Sequence, residues 1–409
     1  NLMKSIFVQI ASYRDPELIP TIKDLIEKAY KPENLKICIA HQYAEEDEWD
    51  RLDQFASDGR FTVIQIPHTE AQGTCWARNQ IQQHYNGEDY TLHLDSHHRF
   101  TPGWDKQCID DIKNLQKNGF KKPLLTSYCP SYSIDETVNR DERAYGMKLD
   151  KWKDGVALFH PYGMGKTQAP VPSRFYSGHF AFTLGEFCKE VPHDPFMYFY
   201  GEEISISVRA YTHGYDLFAP HKPIVWHEYT REGRSKHWDD HKRWFERDNQ
   251  SKLRTRQLLG VNGEVCSPCN KNTFKEYGLG EERTLEDYEL YSGVKFKDQT
   301  ITHRCQQNLP PPGTEGDSVY HQTKEYYVKI NKYDFLYEDC VFGVLVFEDN
   351  NGIVVHHDTI TKEEIQALKS INNPYMTVVR NLAGQIPFRY IIWPYSSSHG
   401  WGDKVVSYF

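Results

Sequence analysis

The sequence predicts an α/β protein in which helices cover a parallel sheet, followed by a smaller β-rich domain. Within the first hundred residues, four short apolar runs alternate with helical patterns, which is typical of a parallel sheet. A stretch rich in Pro and Gly at 309–318 then interrupts the chain. After it, apolar residues alternate around Asp349-Asn-Asn-Gly352, which indicates a β-hairpin. We therefore expect a catalytic-size domain at 1–308, a linker at 309–318 and an accessory domain at 319–409.

The predicted elements follow in a regular order. The first helix presents an apolar face at Leu18, Ile22 and Leu25, and Pro16 suits its start. Strands are expected at 5–11, 35–40, 61–66 and 90–94, with helices at about 45–56 and 73–84 between them. Helix and loop are expected at 105–175 and a second core block at 175–226. The C-terminal part is predicted to contain strands at 341–347, 353–357, 376–380 and 389–394, and a helix near 362–371.

Composition excludes several classes of protein. Of the 409 residues, 39% are hydrophobic and 26% charged, which is typical of a globular protein rather than a disordered one. The net charge of -9, without a basic tail, argues against binding to nucleic acid. No apolar stretch approaches the roughly 20 residues of a membrane span, and no signal peptide is evident. Nine scattered cysteines argue against a disulfide framework and predict a reducing, cytoplasmic location.

The sharpest local pattern is an apolar strand that ends in Asp95-Ser96-His97. Residues i and i+2 of an extended chain point the same way, so a carboxylate and an imidazole converge just beyond the sheet. Such a pair suits a divalent cation such as Mn²⁺. A second apolar strand ends in His227, which supplies a third ligand and leaves positions open for a diphosphate. The alternative is that Asp95 caps a turn and that the two histidines have no metal.

Motifs in a fixed order give the chain a resemblance to a known family. Gly73–Asn79, Leu92–His97, Gly201–Arg209 and His227 resemble metal-dependent nucleotide-sugar glycosyltransferases of the GT-A type, and their order is similar to that of polypeptide N-acetylgalactosaminyltransferases. The closer resemblance is to the polypeptide α-N-acetylglucosaminyltransferases, glycosyltransferase family 60. It rests on Phe7–Asp15, Tyr277–Gly280 and Arg283–Tyr288, extends over about residues 4–300, and fades after the Pro-rich stretch.

The resemblance implies a GT-A, Rossmann-like fold and a retaining transfer of GlcNAc from UDP-GlcNAc. The acceptor would be a Ser, Thr or hydroxyproline hydroxyl of a protein, and Mn²⁺ or Mg²⁺ would neutralise the diphosphate. In this scheme the acceptor oxygen attacks on the face that UDP leaves, so no residue is a strict nucleophile. Two alternatives remain: the same donor with a glycan acceptor, and a degenerate carbohydrate-binding protein. A metallohydrolase is disfavoured because no further cluster would hold a second metal.

Several residues are expected around the donor. At the end of the first strand, Ala11, Ser12, Tyr13 and Arg14 would line the uracil and ribose, while Asp15 caps the first helix. Arg78 either reaches the nucleotide or forms a salt bridge with Asp95, and Ser96 lies between two metal ligands.

Further residues are expected near the transferred sugar. Gly178, beside His179, permits close backbone approach to the sugar or marks a bulge. Glu202 and Glu203 open a helix, and the resemblance implies that this pair lies near the sugar and the acceptor, with Glu202 the first choice. With Asp95 they form the predicted catalytic set.

A basic segment follows His227 directly. Its residues Arg231 and Trp238 belong to a loop that either closes over the diphosphate or is simply solvated.

Other patterns are weaker. Cys266 and Cys269 form an incomplete zinc pattern to which Cys305 could add a third ligand, and free thiols are the favoured interpretation. His356-His357-Asp358 is interpreted as a solvated pair of histidines at a strand end rather than a metal site. The aromatic residues of the C-terminal domain are compatible with a core, an acceptor-binding surface or an oligomer interface.

Overall fold

The structure is a computed structural model that describes residues 4–135, 140–230, 234–264, 273–311 and 319–409. The α-helices in these ranges are α1 (Leu18–Lys28), α2 (Thr74–Gln82), α3 (Trp104–Lys117), α4 (Phe187–Glu190), α5 (Glu202–Thr212), α6 (His237–Asp240), α7 (Trp244–Leu259), α8 (Leu285–Ser292), α9 (His303–Gln306) and α10 (Lys362–Ser370). The first fourteen strands are β1 (Ile6–Tyr13), β2 (Leu35–Tyr43), β3 (Phe61–Pro67), β4 (Tyr90–Leu94), β5 (His98–Phe100), β6 (Pro123–Thr126), β7 (Tyr145–Lys153), β8 (Val156–Gly163), β9 (Val171–Pro172), β10 (Phe180–Leu184), β11 (Asp216–Ala219), β12 (Val225–His227), β13 (Val294–Lys295) and β14 (Thr300–Thr302).

One sheet organises the N-terminal part of the protein. Its strand order is β3-β2-β1-β4-β10-β6-β11-β9. β1 pairs in parallel with both β2 and β4, and β2 pairs in parallel with β3, whereas β10 is antiparallel to β4 and β6. The carboxyl ends of β1, β2 and β4 therefore lie along one edge, where α/β proteins bind ligands. This arrangement confirms the predicted α/β fold class.

The sheet is buried on both faces because its strands are almost continuously apolar. The main core contains Val8, Ile10, Leu92 and Leu94, and helices α1 and α3 cover it with residues such as Ile22 and Trp104. Ile22 is one of the α1 positions that the 3.6-residue period predicts to face the core. The rigid sheet fixes where each strand end, and so each site residue, is placed.

Two sequence-based expectations for the connections are wrong. The acidic stretch at 45–56 contains two short 3-10 turns, Glu48–Asp50 and Asp53–Phe55, instead of a helix. Region 105–175 contains the antiparallel pair β7–β8 besides the predicted helix. β7 buries Met147 and Leu149 but exposes Lys151 and Lys153, so its alternation extends over one half only and the period-2 signal is weak.

The C-terminal part is β-rich, as predicted. Its strands are β15 (Tyr320–His321), β16 (Thr323–Asn331), β17 (Cys340–Glu348), β18 (Val354–Ile360), β19 (Tyr375–Ala383), β20 (Arg389–Ser396), β21 (Gly400–Trp401) and β22 (Val405–Tyr408). The predicted hairpin is β17–β18, and β17 also pairs with β20. Helix α10 begins with a capping box in which Thr361 and Glu364 satisfy each other's backbone N–H groups.

The two parts of the chain share structure. β15 pairs with β14, so the first C-terminal strand extends a small sheet that begins before the Pro-rich stretch. Asp358 of β18 accepts a hydrogen bond from Lys148 of β7 at 2.5 Å, and both side chains are fully buried. The expectation of solvated histidines here is wrong for His356, which is buried beside them because its ring accepts a hydrogen bond from the same lysine. Residues 312–318 of the predicted linker lie outside the described residues.

No helix among the described residues is long and apolar enough to cross a membrane. Seven cysteines in this part of the chain are buried free thiols, Cys305 among them, while Cys266 and Cys269 lie outside it.

Candidate functional site

Three side chains converge at the carboxyl end of β4. Asp95 follows β4 directly, His97 precedes β5, and His227 ends β12, which pairs with β5. Nε2 of His227 lies 3.0 Å from Oδ2 of Asp95, and Nε2 of His97 lies 3.4 Å from the same oxygen. The two Nε2 atoms are 3.1 Å apart. The structure thus brings together the three residues that the sequence predicts as metal ligands.

This donor set fits a divalent cation. Octahedral Mg²⁺ with bonds of about 2.0–2.1 Å has adjacent ligand atoms about 2.9 Å apart, close to the three distances here. Imidazole nitrogen and carboxylate oxygen also suit Mn²⁺. Two imidazole nitrogens that face each other repel unless a proton or a metal ion lies between them. His227 is suited to binding a metal ion rather than a proton, since burial holds its pKa well below the usual value and keeps the ring neutral.

Asp15 orients the first histidine ligand. Its Oδ2 accepts hydrogen bonds from Nδ1 of His97 at 2.7 Å and from Oγ of Ser96 at 2.6 Å. This fixes the proton of His97 on Nδ1 and turns Nε2 toward the other two ligands, as carboxylates commonly do for metal-binding histidines. Oδ1 of the same carboxylate accepts the backbone N–H of Glu17 at the start of α1. Asp15 therefore caps α1 and also orients His97, and Ser96 donates a hydrogen bond to the same carboxylate.

Arg78 connects the two acidic parts of the site. Its guanidinium donates to Oδ1 of Asp95 at 2.5 Å and to Oε1 of Glu202 at 2.6 Å, and its side chain is 3% exposed. Of the two alternatives from the sequence, the structure contains the salt bridge with Asp95. Burial opposes ionisation of both carboxyls, but Arg78 and neighbouring histidines hold the pKa of Asp95 well below its usual value and lower that of Glu202 to about 2.

Glu203 differs electrostatically from its neighbour Glu202. Burial raises the pKa of Glu203 to about 7, although hydrogen bonds from the Gly178 N–H at 2.9 Å and the Tyr128 hydroxyl at 2.8 Å oppose the increase. A Cβ at position 178 would lie 3.1 Å from Oε1 of Glu202, so glycine leaves room for the carboxylate pair. Two adjacent carboxyls with separated pKa values are suited to different roles.

Glu202 has little capacity left for a substrate. Besides Arg78, its Oε1 contacts Nε2 of His193 at 3.3 Å, and its Oε2 accepts from the Cys75 thiol at 3.4 Å. His93, His193 and Glu202 could by composition hold a metal ion. However, both ring nitrogens of His93 are occupied, by the Gly178 carbonyl at 2.7 Å and the Tyr176 hydroxyl at 3.1 Å, so no lone pair faces a cation.

His179 lies against the third ligand. Its ring stacks on His227 with centroids 4.0 Å apart, and its Nε2 is 3.2 Å from the Tyr229 hydroxyl. That hydroxyl donates to the carbonyl of Cys129 at 2.6 Å. Asp95, His179 and His227 also offer ligand atoms within 4.8 Å of one another, so His179 is an alternative third ligand at the same position.

The end of β1 is covered by α6. The Tyr13 hydroxyl donates to Asp240, and Nη1 of Arg14 lies 3.1 Å from the same carboxylate. Arg14 also donates to Asp47 at 2.7 Å and adopts a positive φ of 46°. Ala11 packs on the apolar cluster that includes Phe7, while Ser12 is fully buried. The four predicted nucleotide-binding residues are thus together, with the segment after His227 folded over them.

That segment also reaches the ligands. Nη1 of Arg234 lies 3.0 Å from Nε2 of His97 and 3.4 Å from Oδ2 of Asp15. Trp238 packs edge-on against Phe199, 5.5 Å between centroids. Arg231 lies outside the described residues. This segment therefore brings a guanidinium group beside the candidate metal ligands.

The match to a family decides how this geometry is interpreted. The sequence profile of the family described as "Glycosyltransferase (GlcNAc)" matches residues 5–59 and 51–298, which is well over half of the chain and includes every residue of the site. The chain belongs to this glycosyltransferase (GlcNAc) family. No curated protein matches it significantly. The narrower resemblance to family 60 stays a prediction.

Solved structures resemble the protein at low sequence identity. GalNAc-T7 with UDP, GalNAc and Mn²⁺ is 15% identical over 71% of this chain, with a TM-score of 0.47, and this chain spans only 56% of its length. Residues 1–349 of S. aureus TarS with UDP-GlcNAc are 9% identical over 66% of this chain and 79% of that one, with a TM-score of 0.38. The mannosyltransferase PcManGT of Pyrobaculum calidifontis, with GDP-Man and Mn²⁺, is 10% identical over 56% and 58%, with a TM-score of 0.35.

Some residues of this candidate site were not identified from sequence. Asp15 was interpreted as a helix cap, and Tyr128, His193 and Asp240 were not singled out at all. A carboxylate three residues before a helix carries no local sign of a histidine 82 positions away. A signal existed for Asp15 alone, since it follows the end of a strand in a parallel sheet.

Proposed function

We propose that the protein is a metal-dependent, retaining glycosyltransferase that moves GlcNAc from UDP-GlcNAc to a hydroxyl of a protein. The observation that carries this proposal is the convergence of Asp95, His97 and His227, with 3.0–3.4 Å between their ligand atoms, in a chain of the glycosyltransferase (GlcNAc) family. The donor sugar follows the family description, and the protein acceptor and its Ser, Thr or hydroxyproline hydroxyl follow the resemblance to family 60.

Asp95, His97 and His227 would hold Mn²⁺ or Mg²⁺. When bound, such a cation supplies Lewis-acid stabilisation of the diphosphate leaving group. Asp15 holds the His97 ring in the tautomer that binds metal, and Arg78 keeps Asp95 ionised and oriented. Arg234 adds positive charge beside His97, where a β-phosphate would carry negative charge.

The reaction exchanges one bond at the anomeric carbon. The bond from C1 to the phosphate oxygen breaks, the acceptor oxygen bonds to C1 on the same face, and its proton passes to the departing phosphate. Glu203 is the better candidate than Glu202 for contact with the sugar or the acceptor, because Glu202 is ion-paired with Arg78, whereas the Gly178 N–H and Tyr128 hydroxyl that bond to Glu203 are neutral. Glu202 instead positions Arg78.

Tyr13, Arg14 and Asp240 are proposed to close over the nucleoside. The strand end carries an aromatic ring and a guanidinium, and α6 brings Asp240 to both. A closed segment excludes water and limits hydrolysis of the donor.

The test measures hydrolysis of UDP-GlcNAc and binding of UDP with and without Mn²⁺. The wild-type protein is expected to show both only with metal, and Asp95→Asn to lose them. His84→Gln, which changes an exposed histidine on the same domain, serves as the control. Metal-stimulated activity that survives in Asp95→Asn would refute the site. Incubation of cell proteins with labelled donor, followed by mass spectrometry, tests the protein acceptor.

A further inference from the structure

Lys362 extends from the C-terminal part of the chain to the segment beside the metal ligands. It is the first residue of α10, and only 6% of it is exposed. Its Nζ donates a hydrogen bond of 2.7 Å to Oγ of Ser133. A lysine is rarely buried without a specific partner. The partner of Lys362 is Ser133, which lies 229 positions earlier in the chain.

Residues 130–133 hold His227 from both sides of its peptide unit. The backbone N–H of His227 donates to the carbonyl of Pro130 at 3.0 Å, and the Tyr132 N–H donates to the carbonyl of His227 at 3.3 Å. Ser131 forms a parallel bridge with His227. The backbone of the third ligand therefore takes its position from this short segment, and Lys362 is attached to the segment's last residue.

The charge of Lys362 also faces this part of the site. Burial lowers the pKa of Lys362, and the carboxylates of Glu363, Asp141, Asp135 and Glu228 oppose that decrease. Glu228 follows His227 directly, and its Oε1 accepts the backbone N–H of Thr230 at 2.6 Å. An ammonium group here offsets a cluster of acidic groups that would otherwise repel one another beside the ligand.

Other contacts fix α10 relative to the N-terminal part. Lys148 binds Asp358 of β18, and Arg380 of β19 contacts the same carboxylate at 3.2 Å. Arg380 also binds Glu364 of α10 at 2.6 Å. Displacement of one member of such a buried network is costly because it leaves a charged partner buried without that counter-ion. The helix that presents Lys362 is therefore held at a defined distance from Ser133.

We propose that Lys362 is a positioning residue of the metal site: through Ser133 it fixes residues 130–133 and, with them, the His227 ligand. The accessory domain then contributes a residue, Lys362, that supports the metal site. The inference rests on the proposed function, since it assigns His227 to the metal. A role confined to overall stability would leave metal affinity unchanged once the protein is folded.

The test compares four variants of the full chain: Lys362→Met, Lys362→Arg, Ser133→Ala and Lys369→Met. Lys369 is the matched control because it is on the same helix but bonds to the Tyr337 carbonyl within its own domain. Titration calorimetry with Mn²⁺ and UDP gives the affinity. Hydrogen exchange of the metal-free protein gives the protection of the His227 and Tyr132 amides. Thermal unfolding confirms that each variant is folded.

We expect Lys362→Met to weaken Mn²⁺ binding about tenfold, the lower end of the range for residues that support metal ligands. In the same variant, protection of the His227 and Tyr132 amides falls. Ser133→Ala lowers both the Mn²⁺ affinity and this protection, whereas Lys362→Arg keeps both at the wild-type level. Lys369→Met stays like the wild type. Wild-type affinity and protection in Lys362→Met would overturn the inference. If that variant does not fold, Ser133→Ala decides by the same criteria.

Failure of the proposed function would look different. In that case the wild-type protein itself binds no Mn²⁺ with UDP. The exchange measurement on the metal-free protein still reports whether Lys362 holds residues 130–133.

Discussion

Nε2 of His97 and Nε2 of His227 face each other at 3.1 Å, although 130 residues separate them in the chain. Nδ1 of His97 lies 2.7 Å from Asp15, and although burial opposes it, the carboxylates of Asp15 and Asp95 raise the pKa of the His97 ring. Arg234 and Arg78 bring positive charge to His97 and Asp95, and a divalent cation bound between the three ligand atoms would displace a proton from this position. The pair thus explains why the site is suited to metal, and it leads to tests of the residues around it.

Asp15→Asn is expected to weaken Mn²⁺ binding by about 10- to 100-fold, the usual cost of losing a carboxylate behind a histidine ligand. Asparagine can still accept the Glu17 N–H, so α1 keeps its start. Calorimetry with Mn²⁺ and UDP measures the change, and circular dichroism checks the fold. Asp58→Asn, which changes a half-buried carboxylate paired with Arg60, is the control. An Asp15→Asn protein with unchanged metal affinity would remove Asp15 from the site.

Arg78→Met is expected to destabilise the protein by about 3–5 kcal/mol, because Glu202 is left as a buried charge without its partner. Urea unfolding gives the difference in free energy. The double variant Arg78→Met/Glu202→Gln should recover part of the loss, since the neutral amide needs no counter-ion. If the double variant is no more stable than the single one, the two side chains do not act as a pair.

The raised pKa of Glu203 makes the stability of the protein depend on pH. Its pKa in the folded protein is about 7, above the ordinary value of 4.5, so the fold favours the protonated acid. The stability that Glu203 contributes is therefore full below pH 4.5 and is lost as the pH rises through 7. Relative to the wild type, Glu203→Gln should gain stability on the order of 3 kcal/mol between pH 4.5 and 8.

The measurement for Glu203 is chemical denaturation of both proteins at several pH values. Glu45→Gln, which changes an exposed carboxylate, should give a pH-independent difference. A difference for Glu203→Gln that is equally flat would show that the carboxyl is not perturbed by its surroundings.

Asp358→Ala is expected to cost about 3–5 kcal/mol of stability, because Lys148 and Arg380 lose the carboxylate between them. The contact joins the N-terminal and C-terminal parts, so both should unfold together in the wild type. Thermal unfolding monitored at two wavelengths tests this, with Glu325→Ala on exposed β16 as the control. An Asp358→Ala protein as stable as the wild type would show that the buried pair contributes nothing to the contact.

Periodicity identified the elements that carry strong local signals. β4 was predicted with its observed bounds, 90–94, and α1 and β18 were placed correctly because their apolar positions have the period of a helix or a strand. The helix predicted at 45–56 is absent because charged residues favour a helix only where an apolar face supports it, and Leu52 is the one apolar residue of this stretch that is buried. The β7–β8 pair was not predicted because the second half of β7 is partly exposed, which weakens the period-2 pattern.

His227 ends β12, which lies outside the large sheet and pairs with β5. The amino-acid order places Asp95, His97 and His227 after or at the ends of apolar strands, and it places Asp95 at the edge of a parallel sheet. It could not determine what those residues contact. That Asp15 orients His97, that Arg78 joins Asp95 to Glu202, and that Lys362 reaches Ser133 depends on distances between positions 17 to 229 residues apart. Only the packing of helices and sheets sets such distances, because no local pattern encodes them.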